Sequence, residues 1–203
     1  MKDETTGLIG GVEKCDIKIV DYDKTWLHKF HKHARIIADA LGSEALRIEH
    51  IGSTSVPGLA AKAIIDILVV VADSSNEPRY LPQLLAAGYF LRVREPDWNE
   101  HRMLRTAEKD VHVHIYSMGC REIDRNVIFR DRLRQNAGDR RRYVQTKREL
   151  AKKQWIDMNA YASAKTEIIE RIIEASVGDG SRNSSIGSDT QAMGSRISSG
   201  VKA

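Results

Sequence analysis

Hydrophobic positions along the chain recur at two periods. In DYDKTWLHKFHKHARIIADALG, residues Trp26, Phe30, Ala34, Ile37 and Leu41 return every three or four positions, the spacing of one helix face. Asp21 or Asp23 is placed to cap its start and Gly42 to end it. The stretch ALRIEHIG then alternates as a strand ending at Gly52, and AIIDILVVV is β-branched and nearly continuous, as a central strand buried on both faces should be. Pro78 to Gly88 reads as a short helix closed by glycine, followed by strand-like YFLRVR. HRMLRTAEKDVHVHIYS reads as two strands around a polar turn at Glu108 to Asp110. REIDRNVIFRDRLRQN, DRRRYVQTKRELAKKQW and YASAKTEIIERIIEAS are helical. This order predicts an α+β domain: a mixed sheet with helices on one side and a helical C-terminal part.

The ends lack such patterning. Residues 1–15 are expected to be a flexible N-terminus, and the stretch from 178 to 203 holds twelve Gly or Ser in 26 positions. That composition buries too little apolar surface to offset the entropy of ordering, which predicts a disordered tail and a working domain over 16–177. A chain of 203 residues with 41% hydrophobic and 30% charged residues suits one soluble globular domain. Aromatic content of 6% argues against a stacking platform for single-stranded nucleic acid.

Net charge is +4, but from Arg121 to Lys153 twelve Lys or Arg face five Asp or Glu. Such a segment can meet phosphates or nucleic acid, although a solvated helix surface explains it more simply. Cys15 and Cys120 match no metal or redox spacing, and no apolar leader or spanning run is present, which predicts a reduced, cytoplasmic protein without a membrane partner. The histidines of the first helix, His28, His31 and His33, fall near its polar side, where a surface role is the simpler account.

Chemistry concentrates between Arg47 and Val71, RIEHIGSTSVPGLAAKAIIDILVVV. Asp66 stands inside an apolar strand, where an unpaired carboxylate is costly. Ahead of it, Gly52 permits close backbone approach, Ser53, Thr54 and Ser55 place hydroxyls beside their own N–H groups, and Pro57-Gly58 forces a turn. Convergent donors at a strand end make an anion site, to which Lys62 can add charge and beside which His50 lies on the same strand. A Gly-Ser turn followed by a strand-borne carboxylate resembles the arrangement of polymerase-β-type nucleotidyltransferases, in which the turn holds a triphosphate and carboxylates hold divalent metals.

The whole string EHIGSTSVPGLAAKAIIDILV, continued by VHVHIY, FRDRLR and YVQTKRELA to Tyr161 and Lys165, resembles the signature of the GrpB family over roughly residues 17 to 175. That family is similar in fold to the nucleotidyltransferase superfamily and is sometimes fused to dephospho-coenzyme A kinase. The resemblance implies a divalent metal, Mg²⁺ or Mn²⁺, and a nucleotide or phosphorylated small molecule as ligand. The chain departs from the superfamily pattern at Leu68, where a second carboxylate belongs, and at the later strand, which offers His112 and His114 on one face. Histidine suits Mn²⁺, Zn²⁺ or Fe²⁺ better than Mg²⁺.

Three readings of Asp66, His112 and His114 stand side by side: a three-ligand metal site, a metal-free cluster in which the imidazoles donate to Asp66 or substrate, and structural packing. In the helical third, Arg130, Asp131 and Lys147 are expected at the phosphate, with Arg132, Arg141 and Arg142 in surface ion pairs. The functional expectation is a nucleotidyltransferase-like enzyme in which Asp66, His112 and His114 are catalytic and metal-binding. Gly52, Ser53, Thr54, Ser55, Lys62, Arg130 and Lys147 would hold phosphate. The competing expectation, favoured by Leu68, is a module that binds nucleotide, coenzyme A or RNA without chemistry.

Overall fold

The computed structural model describes residues 7–13, 17–155 and 158–186. Six strands form one sheet: β1 (Gly7–Leu8), β2 (Arg47–Ile51), β3 (Ile65–Val71), β4 (Phe90–Glu95), β5 (His101–Arg105) and β6 (Val111–Ser117). Their order is β1-β4-β5-β6-β3-β2, and β3 with β6 is the parallel pair in an otherwise antiparallel sheet. The mixed sheet expected from the sequence is therefore present, with β3 as an interior strand.

Period-two alternation gives β3 two different faces. Ile65, Ile67, Val69 and Val71 turn toward α1 (Thr25–Leu41) and α2 (Leu81–Ala86), joining Trp26, Ile37 and Leu84 in the main core. Fully burying each of these side chains is worth roughly 2 kcal/mol. Leu68 and Val70 face the other way and meet Ile51, Tyr116 and Ile123, the last from α3 (Arg121–Gln135). Helices thus lie on both faces, α1 and α2 on one and α3 on the other beside β2 and β3. Asp66 emerges on that second face.

Helix α1 starts where the pattern predicts: Thr25 N–H donates to the Asp23 carboxylate at 2.8 Å, and Gly42 at φ 53° ends it. Helices α3, α4 (Ala137–Ala151), α5 (Met158–Ser163) and α6 (Thr166–Ile186) form the helical part. They share a smaller core of Phe129, Leu133, Tyr143 and Ile172 with Val56 and Leu59 from the loop after β2. The segment expected as one helix from Tyr161 is broken at Ala164 and Lys165 into α5 and α6.

Among the described residues, parts of both ends expected to be flexible carry regular structure. Residues 7 and 8 pair with β4, the Arg92 guanidinium donates to the carbonyls of Ile9 and Gly11, and Glu13 is gripped by Arg105 and Lys109. Sheet pairing and charge-assisted bonds from strand arginines outweigh the weak local preferences of that stretch. At the other end α6 runs as far as Ile186, so the expected tail overlaps it, and residues 187–203 lie outside the described part. No helix among the described residues is long and apolar enough to cross a membrane.

Candidate metal and phosphate site

Parallel pairing of β3 with β6 places Asp66 beside His112 and Leu68 beside His114. Alternation turns Asp66, His112 and His114 to the same face of the sheet. The Asp66 Oδ1 atom lies 3.6 Å from His112 Nδ1 and 3.6 Å from His114 Nε2. One donor atom from each of the three residues falls within 4.8 Å of the others. At 3.6 Å the contacts are longer than hydrogen bonds, and they leave room between the three atoms for an ion bound at about 2.0–2.2 Å from each. Burial by itself would raise the Asp66 carboxyl, but the two imidazoles facing it outweigh that and hold it far below the ordinary carboxylate range.

These donors fit a divalent metal, and their chemistry selects among metals: two imidazoles and one carboxylate favour Mn²⁺, Zn²⁺ or Fe²⁺ over the Mg²⁺ that all-oxygen sites take. The position of the expected second carboxylate is filled by Leu68, which is fully buried in the core below.

The cluster opens into a cavity of about 610 Å³, whose wall includes Gly52, Ser53, Lys62, Lys147, Tyr161 and Lys165. Gly52 holds φ 67°, and Ser53 leads a single tight turn, Ser53–Ser55. Ser53 receives a bond from Lys147 Nζ at 3.2 Å and shares another with the Tyr143 hydroxyl. Lys147 is 2% exposed, lies over the Tyr143 ring and also donates to the Ala60 carbonyl, so its ammonium is held by neutral groups. Burial, with the nearby charges of Lys165, Arg148 and Lys62, pushes its pKa down to about 7. Burial also lowers Lys165, with Asp66 acting in the opposite sense. Lys62 and Lys165 both stack on the Tyr161 ring, at 5.1 and 4.6 Å from its centroid.

The other expected phosphate residues lie elsewhere. Thr54 and Ser55 are buried: Thr54 Oγ1 donates to the Ile64 carbonyl at 3.1 Å, and Ser55 Oγ donates to the Gly52 carbonyl at 2.6 Å. Their hydroxyls brace the turn, because the tight helical geometry points successive side chains in different directions. His50 turns toward the main core, stacks on Phe30 at 4.6 Å and meets Thr54 Oγ1 through Nε2 at 3.1 Å. Desolvation pushes its pKa down to about 4, so it is a neutral interior imidazole.

Arg130 and Asp131 do not line the cavity. The Arg130 guanidinium is held by Asp131 on two nitrogens, by Glu49 at 2.6 Å and by the His50 carbonyl at 3.1 Å. All its donor directions toward β2 are satisfied, which makes it a strut between α3 and β2. Much of the surrounding basic segment is likewise paired: Arg132 and Arg142 with Asp139, Arg125 with Glu122 and Glu170, and Arg148 with Asp21.

Several cavity residues carry no signal in the primary pattern. His101 and Glu95 flank the β4–β5 turn; Glu95 meets His101, His101 meets His114, and Trp98 from that turn packs on His101. Tyr143 joins the lysine wall with Tyr161 and Lys165, the two residues that the family resemblance already reaches. His101 opens a strand whose period could have placed it with Met103 on the site face, but only the β5–β6 pairing brings that face to His114.

Comparison with known proteins agrees with this fold. A UPF0157 protein of Streptomyces coelicolor is 51% identical over 165 residues, covering 81% of this chain and 87% of its own length. One from Halalkalibacterium halodurans is 48% identical over 160 residues, covering 79% and 82%. The crystal structure of GrpB from Enterococcus faecalis superposes with a TM-score of 0.71 at 32% identity, over 80% of this chain and 98% of that one. With the family model for GrpB protein matching residues 16–175, the chain belongs to the GrpB family.

Proposed function

We propose that this protein is a metal-dependent, nucleotidyltransferase-like enzyme acting on a nucleotide or another phosphorylated small molecule. The observation that carries the reading is the meeting of two chemistries in one cavity: Asp66, His112 and His114 on the sheet, and Ser53, Lys62, Lys147 and Lys165 on the adjoining wall. A bound divalent ion supplies Lewis acidity for a phosphoryl oxygen. The lysines supply positive charge in a partly dry site, where it acts more strongly than in water. Gly52 and Ser53 let the ligand approach backbone closely, and the Tyr161 ring holds two of the ammonium groups in place.

The test is calorimetric titration of the whole chain with Mn²⁺, Zn²⁺ and Mg²⁺, then with ATP, UTP and coenzyme A in the presence of the metal that binds. Asp66→Asn is expected to keep the fold and lose the metal. Wild-type binding of none of these metals, or equal binding by the variant, rejects the reading.

Leu68 supports a second reading, a non-catalytic module for nucleotide or coenzyme A, because a buried leucine leaves strand β3 with a single carboxylate at the site. Metal-independent nucleotide binding without release of pyrophosphate favours that module. RNA is the weaker ligand on this reading, since many arginines of the basic segment are engaged in ion pairs.

A further inference from the structure

We propose that Glu95 and His101 are positioning residues that set which nitrogen of His114 carries the hydrogen, leaving the His114 Nε2 lone pair turned into the site. The functional consequence rests on the metal-site reading above; the hydrogen placement itself does not.

The β4–β5 hairpin makes Glu95 and His101 cross-strand partners, and the next strand brings His114 alongside. A continuous chain of polar contacts results. Glu95 Oε2 lies 2.8 Å from His101 Nδ1, His101 Nε2 lies 3.1 Å from His114 Nδ1, and His114 Nε2 lies 3.6 Å from Asp66 Oδ1. The chain starts at a carboxylate 43% exposed at the rim and passes through an imidazole only 7% exposed.

Donor and acceptor roles follow in sequence. A carboxylate only accepts, so the hydrogen in the first contact sits on His101 Nδ1. His101 lies between the rings of Trp98 and Tyr116 and next to His114. At 6% exposure among aromatic rings, His101 sits where an uncharged ring is favoured over a charged one. A neutral imidazole with hydrogen on Nδ1 has a bare Nε2, which accepts. The second contact must then be filled by a hydrogen on His114 Nδ1. A neutral His114 so arranged presents a bare Nε2 to Asp66.

Two acceptors therefore face one another across 3.6 Å, a contact that repels unless a cation lies between them. Had His114 carried its hydrogen on Nε2, the imidazole could have closed onto Asp66 as an internal hydrogen bond and the cluster would be self-satisfied. The Glu95–His101 pair selects against that state. Outer partners that orient a ligating imidazole in this way typically change metal affinity ten- to a hundredfold.

The experiment reads the tautomer directly. Long-range ¹H–¹⁵N spectra of the metal-free whole chain at pH 8 are expected to show His114 protonated on Nδ1 and bare on Nε2. His101→Phe keeps a flat ring between Trp98 and Tyr116 but removes the acceptor; it should move His114 toward the Nε2–H form and weaken Mn²⁺ binding ten- to a hundredfold. Glu95→Leu, at the exposed end, should act in the same direction, whereas Glu95→Gln, whose amide oxygen still accepts, should recover most of the affinity. Far-ultraviolet circular dichroism and thermal melting check that each variant is folded. An Nε2–H His114 in the wild type, or wild-type tautomer and affinity in both His101→Phe and Glu95→Leu, overturns the proposal. Wild-type protein that shows the Nδ1–H form but binds neither Mn²⁺ nor Zn²⁺ upholds the relay and rejects the metal reading instead.

Discussion

Gly52 and Asp66 interlock: a Cβ built on Gly52 would lie 2.3 Å from Asp66 Oδ2 and 3.0 Å from its Cβ. The glycine is therefore required twice, by its φ of 67° and by the carboxylate that fills the space a side chain would take. This contact joins the turn that faces the lysines to the acid that faces the histidines.

Gly52→Ala is predicted to cost about 2–4 kcal/mol, since backbone strain and overpacking act together and the obstructing group is anchored on an interior strand. Denaturant unfolding measures the loss. Because Asp66 must rotate away, Mn²⁺ affinity should fall at least about tenfold even in the fraction that remains folded. An alanine variant with unaltered affinity would show that Asp66 does not need its present rotamer.

Lys147 costs stability to keep. In the folded chain its pKa is about 7, against an ordinary 10.5. Above pH 10.5 folded and unfolded chains are both neutral there, and the group exacts nothing. As pH falls toward 7 the unfolded chain takes up a proton that the folded chain resists, so stability declines, and below about 7 the decline levels off. Lys147→Met should be more stable than the wild type at pH 7 by about 2 kcal/mol, after allowance for the lost bonds to Ser53 and Ala60. Its advantage should shrink as pH approaches 10, while affinity for phosphorylated ligands drops. Urea melts of both proteins at pH 7, 8.5 and 10 decide the point; a gap that widens with pH contradicts it.

His50 gives the chain an acid-sensitive spot away from the cavity. Its folded pKa of about 4 lies below the ordinary 6.5, so its contribution is intact above pH 6.5 and is lost as pH falls from 6.5 to 4. Replacing it with phenylalanine, which can still stack on Phe30, should flatten the decline by about 3 kcal/mol at most over that interval. The comparison is the difference in unfolding free energy between wild type and His50→Phe at pH 7 and pH 4.5.

Arg130 and Lys165 should separate cleanly. Arg130→Met removes a nearly buried strut and strands Glu49 and Asp131, both partly solvated, so a loss of about 2 kcal/mol is expected with ligand affinity unchanged in the folded molecules. Lys165→Met should do the reverse, leaving stability near the wild type and weakening nucleotide binding roughly tenfold. Parallel thermal melting and nucleotide titration of the two variants distinguish a clamp from a strut.

Some of this architecture was legible residue by residue. The three-or-four spacing of Trp26, Phe30, Ile37 and Leu41 marks α1, the β-branched run marks β3, and the interval between His112 and His114 places both imidazoles on one strand face. The lone acid in that apolar run also singled out Asp66, which the sheet sets beside two imidazoles. Less legible was the loop after β2: the four consecutive positions Gly52 to Ser55 looked equivalent, yet only Gly52 and Ser53 face the cavity, because one tight turn sends Thr54 and Ser55 inward.

By itself the sequence determined which side chains share a face of their own strand or helix, since that follows from the fixed periods of two and 3.6 residues. It did not determine which faces meet. The non-sequential pairing of β3 with β6 brought Asp66 to His112 and His114, the β4–β5 hairpin added Glu95 and His101, and helix packing took Arg130 away from the phosphate wall while burying Lys147 beside Ser53. Hydrophobic burial has no preferred direction, so only the closed sheet and the helices docked on it could choose among the many pairings that the same local patterns allow.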